Sequence, residues 1–119
     1  MYRLPCTIEY IHREICPPAW ILTLSRADLP QFISFVEKIK EGSCKGVELA
    51  GKDKKVCCVG CEGGLLVFVI GDVTLRLNEN HDECFRSFLA DMTADAPAYD
   101  HIDLEIRDVG IDLTVRVEG

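Results

Sequence analysis

The segment from Val56 to Asn78 constrains the fold more than any other. Two apolar stretches, Val56–Glu62 and Leu65–Ile70, are separated by Gly63-Gly64 alone, and a third, Val73–Asn78, follows Gly71-Asp72. A two-residue type I′ reversal needs positive φ at both central positions, which diglycine adopts without a steric penalty. Two such turns fix the register of three consecutive strands. The first sets Cys61 opposite Leu66, Val59 opposite Phe68 and Cys57 opposite Ile70. The second sets Ile70 opposite Val73, Phe68 opposite Leu75 and Leu66 opposite Leu77. All of these residues share one face, and all are apolar or cysteine. Leu65, Val67 and Val69 make the other face of the middle strand apolar too. Such a strand belongs inside a sheet, covered by helices or by a second subunit in a homodimer.

The remaining elements follow from periodicity and punctuation. Residues 7–13 and 19–25 read as strands separated by Cys16-Pro17-Pro18, with Trp20, Leu22 and Leu24 on one face. Asp28 is placed to cap a helix over about 28–41. Pro30 falls in its first turn, Gln31 stands at capping-box spacing, and Leu29, Phe32, Ile33, Val36 and Ile39 form its stripe. Gly42 suits the left-handed C′ position. Val47–Ala50 is a short strand leading to a solvated tip at Lys52–Lys55. Asn80 and Glu83 suggest a second capped helix with a stripe of His81, Cys84, Phe85, Phe88, Leu89 and Met92.

The sequence then alternates through Ile102, Leu104 and Ile106, and again through Ile111, Leu113, Val115 and Val117. A two-residue turn at Val109-Gly110 would set Ile106 opposite Leu113, Leu104 opposite Val115 and Ile102 opposite Val117. It would also pair Asp103 with Arg116 and Arg107 with Asp112 across the ladder. The expected order is β-β-α-β-β-β-β-α-β-β. This is an α+β fold, a mostly antiparallel sheet of about six to eight strands with two helices, in a single domain over 1–119. A chain of 119 residues is long enough to bury a core of its own.

Charge is distributed unevenly. Residues 1–77 carry nine acids against ten bases, whereas residues 78–119 carry eleven acids against three bases. That balance disfavours nucleic acid, whose phosphates need a basic face, and favours a cationic partner. Asp82 and Glu83 suit the first turn of a helix, and Asp103 and Asp112 have arginines in reach. Glu79, Asp91, Asp95, Asp100, Glu105 and Asp108 have no local duty and form the candidate partner-binding set. Apolar runs reach only six residues, Leu65 to Ile70, well short of the roughly 20 of a membrane helix. With no apolar leader after Met1 and an odd count of seven cysteines, a reduced cytoplasmic setting is expected.

The sharpest spacing is Cys58-x2-Cys61 followed by His81-x2-Cys84, close to that of a two-knuckle zinc site. The strand register opposes it, because residues three apart in a strand point to opposite faces. A bulge at Gly60 would be needed to bring the two sulfurs together. The cysteines are therefore expected to be structural, with no metal and no cofactor. A redox dithiol would have to open a helix, which Glu62-Gly63-Gly64 does poorly. Neither a nucleophile elbow nor a phosphate loop is present, and no catalytic residue is assigned. Small acidic α+β proteins of this sort look like bacterial immunity proteins or antitoxins, which cover the active face of a basic toxin. The expected function is thus a non-enzymatic inhibitor that binds and neutralises a basic toxin or enzyme. The alternative is a small zinc-stabilised interaction module built on Cys58, Cys61, His81 and Cys84.

Overall fold

The computed structural model describes residues 2–52, 54–93 and 100–119. Nine strands and two helices follow the expected order, with one short strand added at the start. Five strands, β1 (Tyr2–Pro5), β4 (Val47–Ala50), β5 (Val56–Glu62), β6 (Leu65–Ile70) and β7 (Val73–Arg76), form one sheet in the order β1-β4-β5-β6-β7. The other four, β2 (Thr7–Ile11), β3 (Ala19–Ser25), β8 (His101–Ile106) and β9 (Ile111–Glu118), form a second in the order β2-β3-β9-β8. The helices are α1 (Leu29–Glu41) and α2 (Glu79–Met92). Neighbouring strands are antiparallel except β1 with β4 and β3 with β9, so both sheets are mixed.

The glycine turns behave as their chemistry requires. Gly63 and Gly64 have φ of 59° and 83°. Cys57, Val59 and Cys61 stand opposite Ile70, Phe68 and Leu66, and Phe68 and Ile70 stand opposite Leu75 and Val73. The Leu77 amide donates to the Leu66 carbonyl at 3.0 Å, just past the end of β7. This inner face continues through Val47 and Leu49 to Tyr2 and Leu4.

Both helices lie on that inner face, where one hydrophobic cluster also takes in Leu22, Leu24, Leu104, Leu113, Val115 and Val117 of the second sheet. Phe85 of α2 is at its centre. Its ring meets Phe32 of α1 and Phe68 of β6 edge-on, with centroids 6.3 and 5.9 Å away. The outer face of β6 is not covered by the helices. Val67 is nevertheless buried there, while Val69 is 37% exposed.

Three local expectations are corrected. Asp28 sits at the N-cap of α1, but its side chain caps no backbone amide. It is held by the Ser25 hydroxyl, which donates to it at 2.8 Å, and the Gln31 capping box does not form. In α2 the cap is Asn78, two residues before Asn80. Asn78 Oδ1 accepts the His81 amide at 2.8 Å and the Asn78 amide donates to His81 Nδ1 at 3.1 Å, so His81 takes the role expected of Glu83.

The third correction is the register of the last hairpin. Leu104 faces Leu113, Ile102 faces Val115 and Ile106 faces Ile111, so the loop has four residues, Arg107 to Gly110, rather than two. Gly110 provides the left-handed residue, at φ 65°. The shift is by two residues, which leaves the same side chains on the core face. It changes the outer partners. Asp103 stands opposite Thr114 and accepts its hydroxyl at 2.5 Å, Arg116 stands opposite His101, and Asp112 pairs instead with Arg13 at 2.7 Å.

Candidate functional site

The two walls of the candidate site are α2 and β8. The helix presents Phe85, Phe88, Leu89 and Met92 to the core, at the spacing of one helical stripe. Cys84, expected on that stripe, is exposed on the flank facing β8. The strand turns Leu104 and Ile106 inward and leaves His101, Asp103 and Glu105 exposed. At 1.5 Å per residue the 14 residues of α2 run about 21 Å, and the six of β8 run about 20 Å at 3.4 Å each. Residues of both elements line the open space between them, a trench.

The trench widens into two clefts that meet at Cys84 and Asp103. One, of about 600 Å³, lies between Arg76, Asn78 and His81 on one side and Glu105, Arg107 and Asp108 on the other. The second, of about 520 Å³, is bounded by Glu83, Ser87, Phe88 and Asp91 of α2 and by His101 and Ile102 of β8. Five carboxylates, Glu83, Asp91, Asp103, Glu105 and Asp108, thus line the trench against Arg76 and Arg107. Both arginines are already engaged, Arg76 with Glu62 at 3.2 Å and Arg107 with Glu105 at 3.7 Å.

At the far end, His101 lies between two acids. Its Nδ1 is 2.8 Å from Asp100 Oδ1 and its Nε2 is 3.6 Å from Asp103 Oδ2. The hydrogen bond from His101 holds the Asp100 carboxyl below its ordinary range, with the charges of His101 and Arg116 acting in the same direction.

Of the six residues assigned to partner binding, Asp91, Glu105 and Asp108 line the trench, and Asp100 sits beside His101 at its end. Glu79 is exposed in the first turn of α2 and does not line either cleft. Asp95 lies outside the described residues. Glu83 and Asp103 have other roles in the sequence pattern, yet both face the trench. Asp82 is different again. It is buried at 4% exposure and binds Lys40 Nζ of α1 at 2.6 Å and Arg86 Nε at 3.2 Å, joining the two helices.

The zinc-like spacing does not produce a cluster. Cys58 stands opposite Glu48 and Val69 on the outer face of its sheet, Cys61 stands opposite Leu66 on the inner face, and His81 Nδ1 is occupied by the α2 cap. Among the described residues no three His, Cys, Asp or Glu side chains are grouped to hold a metal ion. No described helix is long and apolar enough to cross a membrane. No family model, curated protein or solved structure matches this chain.

Proposed function

We propose that this chain is a non-enzymatic binding protein whose acidic trench receives a basic protein, in the manner of an immunity-type inhibitor that occludes a toxin or enzyme. The observation that carries the reading is the gathering of Glu83, Asp91, Asp103, Glu105 and Asp108 along one trench against two arginines, of which Arg76 is paired with Glu62 outside the five and Arg107 with Glu105 among them, leaving acids in excess. Carboxylates aligned in this way raise the encounter rate of a cationic partner and set its orientation. The trench is also large enough to take side chains of a partner, which a uniformly acidic convex surface is not.

The test compares the wild type with the triple variant Asp100→Lys, Glu105→Lys, Asp108→Lys. Each is immobilised and offered the proteins of the cell that makes it, at low salt. The expected result is a basic protein retained by the wild type, released by salt, absent from the variant, and inhibited by one equivalent of the free chain. Retention that is indifferent to the reversal would overturn the trench as the binding face. A retained protein whose own activity is unaffected would overturn the inhibitor reading.

A further inference from the structure

We propose that the trench takes its partner as an added β-strand, paired along the free edge of β8. This rests on the reading of the trench as a site for a basic protein and states how that protein is held. In the second sheet β8 is the last strand, hydrogen-bonded to β9 on one side, and no described strand pairs with its other edge. The Val117 amide donates to the Asp100 carbonyl at 2.8 Å. In an antiparallel ladder every second residue bonds to its neighbour. Ile102, Leu104 and Ile106 therefore spend their amides and carbonyls on β9. His101, Asp103 and Glu105 direct theirs toward the free edge.

The surroundings of that edge define the occupant. A strand laid beside β8 places alternate side chains on the two sides of the sheet. On the outer side they meet His101, Asp103 and Glu105. On the inner side they meet Phe88, Ile102 and Cys84 in the two clefts. Basic residues fit the first row and apolar residues the second. The fitting ligand is an extended segment in which Lys or Arg alternates with apolar residues, its amides and carbonyls pairing with those of Asp103 and Glu105.

The probe is a synthetic peptide of alternating Lys and Val, as long as the six residues of β8 and labelled for fluorescence anisotropy. Two further peptides carry an N-methyl group on every Lys or on every Val. An added strand turns one set of amides to β8 and the other to solvent. The expected result is salt-sensitive binding of the parent, a loss of about tenfold for one methylated peptide, and near-parent binding for the other. Equal affinities for the two methylated peptides would overturn strand addition while leaving an acidic docking surface intact. Failure of the parent peptide to bind would remove both. On the protein side, Glu105→Pro deletes an amide at the free edge and no bond to β9. It should weaken the parent about tenfold beyond Glu105→Gln, which removes only the charge. Equal binding by these two variants, with both folded by circular dichroism, would also overturn the proposal.

Discussion

Cys6 and Cys57 have the same chemistry as Cys16 and Cys84, and only the backbone separates their fates. The first two are buried in the core and the last two are exposed. Burial pushes the Cys6 thiol from its ordinary 9.0 to about 12, against a lowering hydrogen bond from the Thr23 backbone. Burial pushes Cys57 up as well, helped by the neighbouring Cys6 and Cys58. A thiol whose pKa is higher folded than unfolded favours the native state fully below about pH 9 and loses that contribution as pH rises toward 12. Urea denaturation should therefore show stability falling above pH 9, by up to about 1.4 kcal/mol per pH unit for each thiol. In the Cys6→Ala, Cys57→Ala double variant that slope should flatten, whatever the variant's stability at neutral pH. An unchanged slope would assign the alkaline loss to other groups.

The contact between the helices includes an ion pair that periodicity does not reveal. Asp82 falls in the first turn of α2, where a carboxylate complements the macrodipole, and a solvent-facing role satisfies that pattern equally well. In the fold it is buried between Lys40 and Arg86. Asp82→Ala leaves the half-buried Lys40 ammonium without its partner and should cost about 2–3 kcal/mol in chemical denaturation, since breaking a buried pair strands the other charge. A cost below about 0.5 kcal/mol would mark the pair as a surface-like one. The same distinction decides what can be read from the sequence. The diglycine turns are legible because positive φ at two adjacent positions leaves few alternatives. The register of the last hairpin is not, because a shift of two residues keeps every apolar side chain on its face, so alternation cannot tell a two-residue loop from a four-residue one. The expected cross-strand pairs of Asp103 with Arg116 and Arg107 with Asp112 give way to Thr114 and Arg13, the latter supplied from just beyond β2, a contact no local pattern encodes. The acidity of the final third is plain from the sequence. The trench is not, since it exists only where α2 and β8 pack side by side.

On the scale of the molecule, Phe85 ties together elements that are distant in sequence. Its contacts with Phe32, Phe68 and Phe88 link α1, α2 and the first sheet in one aromatic cluster. Phe85→Ala should cost about 3–5 kcal/mol, measured as a fall in the urea midpoint, because the ring has no room to be replaced by solvent or by collapse. A loss under about 1 kcal/mol would show that the neighbouring phenylalanines close the gap. The second sheet has its own long-range dependence. Its interior position between β3 and β8 is taken by β9, and Ala19 pairs with Asp112 across nearly the whole sequence. On a ribosome, β2 and β3 emerge early and must wait, with their apolar faces open, until residues 111–118 clear the exit tunnel. The pairings of β9 with β3 and β8 are thus the last this sheet can make, and the apolar faces of β2 and β3 stay uncovered during that interval.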